Sequence, residues 1–264
     1  MAITTLDGYI AAAKQCVFYT KTASRTTVAA IPFTVFDLAG NPGAGTLAIG
    51  NTANGVVPTD AVAGYPAINA FGGAVGYFSG LEFNSSVAGR IFLFDRVFAA
   101  GAYAFNANVT LASQPSYSGR VPGGTDYNGL QIWIEAVTAF TGLQSIAVTY
   151  TNQAGTAGKT TGTIATGVAP TLGRALQLPL QAGDMGVQKI ESVVSTVSTA
   201  GTFNVMVLRP LIVVRVPVVG FGDVYDLLRT GMVQVFADSA LYPLIAADST
   251  ASGIPSLNIE IANG

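Results

Sequence analysis

Leu130-Gln-Ile-Trp-Ile-Glu-Ala-Val137 sends Leu130, Ile132 and Ile134 one way and Gln131, Trp133 and Glu135 the other. A period of two over eight residues reads as a β-strand with one buried face; its polar face carries the only tryptophan. Short runs of similar character recur on both sides of it. They are Cys16 to Thr20, Val28 to Phe36, Tyr77 to Phe83, Ile91 to Phe94, Ile146 to Tyr150, Ile190 to Val197, Phe203 to Leu208, Leu211 to Val214, Val233 to Phe236 and Leu257 to Ile261. Gly, Pro, Asn or Ser punctuates them, as turns require. More than ten short strands joined by turns predict an all-β chain, a β-sandwich or jelly-roll-like barrel with long loops.

Two helices interrupt this pattern. Residues 4–14 place Leu6, Tyr9, Ile10 and Ala13 at spacings of three and four, with Thr4 or Thr5 available as a cap, so residues 1–15 read as a short helix or arm. Asp223 to Arg229, followed by Gly231, reads as one short helix in the C-terminal half. Residues 16–264 are then the β-sandwich domain, with a subdivision allowed near 112–128.

Ala39 to Gly73 and Ala112 to Asn128 are long loops with little periodicity. Their only charges are Asp60 in the first and Arg120 and Asp126 in the second. Solvated loops carry more charge than this, so both are expected to lie against a surface of their own domain or of a neighbour. Tyrosine offers a rigid apolar body with one polar end. Tyr65, Tyr117 and Tyr127, with Arg120 and the N-terminal Leu6, Tyr9 and Ile10, are therefore the candidate interface residues.

Composition narrows the function. Half of the 264 residues are hydrophobic and only 10% are charged, against about a quarter in ordinary soluble domains. Such a chain is expected to be covered by other chains and to form a homo-oligomer. The apolar run Val205 to Gly222 is broken by Arg209, Pro210, Arg215 and Pro217, so no membrane-spanning helix is predicted. The first residues lack the basic and apolar regions of a secretory signal, which predicts use without export. A net charge of -2, without a basic cluster, argues against nucleic-acid binding.

With no histidine, a Ser-His-Asp triad, a Cys-His pair and a histidine-ligated zinc are excluded. Cys16 is the one cysteine and is expected to pack as a small buried hydrophobe. Asp223 and Asp226, three apart, read as charge at a helix N-terminus rather than as an acid pair. Gly43-Ala-Gly45-Thr-Leu-Ala48 fits a dinucleotide fingerprint in letters only, because Asn41-Pro42 before it and Gly50 after it leave no helix to start there. Gly158-Lys159-Thr160 lacks the first glycine of a phosphate loop, and Asn152 to Thr160 reads as a hairpin connection. No catalytic, cofactor-binding or metal-binding residue is predicted.

Phe36-Asp-Leu-Ala-Gly-Asn-Pro-Gly-Ala-Gly-Thr-Leu-Ala-Ile-Gly50, Asp95-Arg-Val-Phe-Ala-Ala-Gly101, Ser113-Gln-Pro-Ser-Tyr-Ser-Gly119, Ala247-Asp-Ser-Thr-Ala-Ser-Gly253 and the tail Leu257-Asn-Ile-Glu-Ile-Ala-Asn-Gly264 resemble a family of tailed-bacteriophage virion proteins. The likeness runs over essentially the whole chain and carries no catalytic signature. It implies a place in the virion, assembled in the host cytoplasm, with the major capsid protein or other virion proteins as partners. A capsid decoration or cement protein is the favoured role. Tail, neck or head-fibre component, and receptor- or glycan-binding module, are the alternatives, with major shell protein and carboxylate hydrolase behind them.

Overall fold

A computed structural model of the chain describes residues 3–72, 75–104, 108–196 and 200–264. Residues 1–2 of the expected arm, Gly73 of the first loop and Val197 of one expected strand lie outside them. Helix α1 (Leu6–Ala11) leads into β1 (Ala13–Lys21), β2 (Phe33–Thr34), β3 (Gly40–Asn41), β4 (Asn51–Val56), β5 (Gly76–Ser85), β6 (Gly89–Ala104) and β7 (Asn108–Thr110). After two single 3-10 turns come β8 (Gln131–Thr138), β9 (Ser145–Asn152), β10 (Lys159–Thr160), β11 (Ile164–Ala165), β12 (Ala175–Leu178), β13 (Val187–Ser195), β14 (Thr202–Val216) and β15 (Gly222–Tyr225). Helix α2 (Leu227–Thr230) precedes β16 (Gln234–Val235), β17 (Leu241–Ala247) and β18 (Pro255–Asn263). The chain is all-β with long loops, as its periodicity predicts.

Three antiparallel sheets result. A central sheet has the order β12-β8-β14-β6-β17-β2, a front sheet β15-β5-β18-β1-β3 and a smaller sheet β10-β9-β13-β7. The long strands β6 and β14 pair along their length and run beneath both of the others. At one end Ile91, Leu93, Val214 and Val216 meet Val17, Leu81, Phe83 and Ile259 of the front sheet. At the other end Val97, Phe98, Val205 and Val207 meet Ile146, Val148, Ile190 and Val193 of the small sheet. Each such side chain, fully buried, contributes about 1.5–3 kcal/mol over its exposed state.

Bulges explain how one strand serves two cores. Val207 pairs with Phe98 and Leu208 with Arg96, leaving Val97 as the extra residue. One inserted residue reverses the alternation, which is why neighbouring Val97 and Phe98 face the same core. A second shift falls between Pro210 and Ile212. Proline lacks a ladder N–H and is tolerated at such an irregularity, so the two runs expected around Arg209-Pro210 are one strand.

The back of the central sheet is buried as well. Phe94, Trp133, Met206, Leu208, Tyr242 and Leu244 form a third cluster, covered by Phe36 and by Leu47 and Tyr65 of the first long loop. The face of β8 expected to be polar therefore lies inside: Trp133 and Glu135 are both buried. Gly45 permits the cover, because a Cβ there would meet the Phe36 ring at 2.2 Å, whereas one at Gly43 would meet nothing within 4 Å. The glycine motif is a packing contact.

Three further expectations are corrected. Val28 to Phe36 contributes only the two strand residues of β2. Gly222–Tyr225 is a strand, and the C-terminal helix is the single turn α2, capped by the Asp226 carboxylate on the N–H groups of Leu228 and Arg229 and closed by left-handed Gly231. Cys16 is exposed, because it sits on β1 between inward Gln15–Val17 neighbours with its side chain on the outer face of the front sheet.

Candidate functional site

The seven candidate interface residues separate into two groups. Leu6 and Ile10 are 63% and 65% exposed, and Tyr9 is half-buried beside them on α1. Tyr65, Tyr117, Arg120 and Tyr127 are buried within the chain itself. Tyr117 packs its ring tilted against Phe98 and edge-on to Tyr127, and its hydroxyl donates to the Val187 carbonyl at 2.9 Å. These four hold the long loops onto the cores and are not available to a partner or a glycan, so their expected interface role is withdrawn. The polar tips of Tyr65, Tyr117 and Arg120 find partners inside, a fact that no spacing along the chain reveals.

Arg120 belongs to a buried ionic cluster at the seam between the two front cores. It donates to Asp95 and, at 2.8 Å, to the Pro58 carbonyl, joining both long loops to β6. Asp95 also accepts from Arg209 at 3.1 Å, the Ser239 hydroxyl at 2.8 Å and the Ala240 N–H at 3.1 Å. Burial pushes the Asp95 carboxyl up, but Arg120 and Arg209 outweigh it and hold the group below its ordinary range. Arg96, the next residue, lies on the opposite face. It is paired with buried Glu135 at 3.6 Å and stacks over the Tyr242 ring at 5.0 Å. Glu135 accepts from Tyr242 and from Asn204 at 3.0 Å.

Among the described residues no group of three or more His, Cys, Asp or Glu side chains converges as a metal site would. No helix among them is long and apolar enough to cross a membrane. The prominent features are instead the two outer faces. None of the residues of α1 is buried. The helix is tethered by the Tyr9 hydroxyl, which donates to Glu260 at 2.9 Å, and is capped at its start by the Thr5 hydroxyl, which accepts from the Gly8 N–H. Between α1 and α2 lies an open groove of about 480 Å³ lined by Ile3, Leu6, Tyr9, Leu227, Leu228 and Met232. Leu228 is 81% exposed, and Val224 and Phe18 extend the apolar surface across the front sheet.

The back face carries a second groove, of about 390 Å³, over β6, β8 and β14. Phe92, Phe94, Trp133, Arg174, Pro210 and Val213 line it. Phe92 stacks parallel to Phe94, and Phe94 meets Trp133 edge-on at 5.5 Å. Beside it Arg90 and Arg215 are direct cross-strand partners. Both are exposed, and no ion pair or hydrogen bond engages either guanidinium among the described residues.

No protein-family model matches the chain, and no curated protein matches it. Solved structures to which it is similar include that of the infectious bursal disease virus Gx strain, at 11% identity, covering 95% of this chain and 80% of that one, with a TM-score of 0.21. Another is the infectious bursal disease virus VP2 subviral particle, at 10% identity, covering 96% and 80%, with a TM-score of 0.20. Likenesses this shallow settle neither architecture nor role.

Proposed function

We propose that this chain is a structural protein of a virus particle, a capsid-associated decoration or cement protein of a tailed bacteriophage that acts through protein–protein contacts. One observation carries the reading: a whole helix, α1, is displayed with none of its residues buried, and Leu6, Ile10, Leu228, Val224 and Phe18 form an apolar front around it. Single exposed apolar residues are ordinary, but a concentration of them around one groove marks an interaction site. The low charge of the chain supports the same reading, since little ionic surface is present to keep it dispersed. A standard interface of about 1,600 Å² per contact suffices, and repetition around a shell multiplies a weak contact into stable attachment.

The test is to quantify the chain in purified particles, with and without residues 1–11. We expect hundreds of copies of the full chain per particle and loss of particle binding by the truncated chain, which keeps its β-fold. About a dozen copies would place it at the neck or tail, where ring symmetry sets such numbers. Undiminished binding of the truncated chain would remove α1 from the contact, and absence from particles would end the proposal.

A further inference from the structure

The two outer faces are oppositely charged. Around the front groove and sheet stand Asp7, Glu82, Asp226 and Glu260 against Lys14, with Asp223 and Arg229 beside them at the β15 edge. Lys14 rests over the Tyr9 ring, and Arg229 is already paired with Asp223 at 3.2 Å. On the back, Arg90, Arg215 and Arg174 stand around the aromatic groove, with Asp248 beside the first two. Like charges directly opposite on neighbouring strands repel. In a chain with so few charges, two exposed arginines set opposite each other, with Asp248 the one acid lining their cavity and no ion pair formed among the described residues, leave an excess of positive charge that an incoming acidic group would relieve.

The faces also point away from each other. Ile91, Leu93 and Val214 turn inward to meet the front sheet, so their strand neighbours Arg90, Phe92, Val213 and Arg215 turn to the back. In the front sheet Val17, Leu81 and Ile259 turn inward, and the row Phe18, Asn258, Glu82 and Val224 turns out. Both faces combine an apolar groove with an excess of charge of one sign, negative in front and positive behind. A two-fold contact would set front on front, acid against acid, or back on back, with Arg90 and Arg215 against themselves. Only front on back brings opposite signs together.

We propose that the chain associates head to tail with further copies of itself, the acidic, apolar α1–α2 front of one copy seating on the Arg90–Arg215 edge and aromatic groove of the next. This deepens the particle reading by naming the partner as a second copy, and it rests on that reading only for its biological setting. A heterologous contact leaves one free front and one free back at every step, so it closes into a ring or continues as a filament. The charged part weakens with salt, because exposed charges are screened beyond about 8 Å at physiological ionic strength.

Sedimentation velocity of the full chain over a concentration series tests this, with three variants. The front variant carries Asp7→Lys and Glu82→Lys, the back variant Arg90→Glu and Arg215→Glu, and the third carries all four. All four positions are exposed, and circular dichroism checks each fold. We expect the wild type to grow past dimers, each two-site variant to need at least about tenfold more protein for the same growth, and the four-site variant to recover, since reversed charges again face reversed charges. A four-site variant no better than the two-site ones overturns the proposal, as does indifference of the wild type's assembly to the back variant. Milder Arg90→Gln with Arg215→Gln should weaken growth in the same direction if the Glu variant does not fold. A wild type that stays monomeric yet binds purified shells through the arginine face also overturns it, while leaving the particle reading intact. Head-to-tail growth of a chain that is absent from particles would have the opposite meaning.

Discussion

Asp95 and Arg96 are consecutive on β6, point to opposite faces of the central sheet, and each is fully buried in its own ionic cluster. One residue of offset thus pins two layers at once. Through Arg120 and Ser239 the Asp95 side gathers the long loops and the chain before β17, while Glu135 and Tyr242 tie β8 to β17 on the Arg96 side.

Asp95→Asn removes the charge that compensates two buried guanidiniums. Breaking one partner of a buried pair costs about 3–5 kcal/mol, and we expect a loss of that size in the denaturant midpoint at unchanged slope. A loss below about 1 kcal/mol would show that Arg120 and Arg209 find other compensation.

Gly45 and Gly43 should respond differently to the same change. Alanine at Gly45 places its Cβ in the Phe36 ring and, as overpacking, should cost about 1–3 kcal/mol. Alanine at Gly43 meets open space and should stay within about 0.5 kcal/mol. Equal effects at the two sites would contradict the packing of the first loop on Phe36.

Stability against pH should have a flat middle. Without histidine, no side chain of ordinary pKa titrates between about pH 5 and 7.5. Below that range the depressed Asp95 matters: its stabilisation is complete above its unfolded pKa near 4 and is lost as pH falls through the lower folded value. Burial lowers Lys21 to about 8, although Asp37 opposes the shift and three backbone carbonyls surround its ammonium. The folded chain then sheds this proton before the unfolded one does, so stability rises modestly from pH 8 towards 10. Burial raises Tyr103 and Tyr150 to about 12 and lifts Tyr19, Tyr117 and Tyr242 well above the ordinary tyrosine value. Their stabilisation is complete below pH 10 and is lost as pH climbs through the folded values, so unfolding should set in steeply above 10. Melting temperatures across pH 3 to 12 check the profile, and a pronounced step between 5 and 7 would contradict it.

The strands around Leu130–Val137, Tyr77–Phe83, Ile146–Tyr150 and Leu257–Ile261 were legible because a half-buried strand alternates. Where bulges reverse the phase, as at Val97 and beside Pro210, that signal breaks and the long strands read as fragments. The burial of Glu135 was hidden because its neutralising partners, Arg96, Asn204 and Tyr242, lie far away along the chain. The same distance hid the interior roles of Tyr65, Tyr117, Arg120 and Tyr127, where tyrosine chemistry alone suited a surface equally well. Leu6, Tyr9 and Ile10 stood out through helical spacing. Arg90 and Arg215 emerge as neighbours only once the strand register is known.

Cys16 provides a built-in probe of the front face, since it is exposed on β1 in the row of Glu260 and Gly80. Maleimide labelling of Cys16 in intact, purified particles, compared with the same chain released from them, reads whether that face is covered. We expect the chain to be present and its thiol to react several-fold more slowly in the particle than after release. Equal labelling rates, or particles without the chain, would contradict a structural protein that docks through its apolar front.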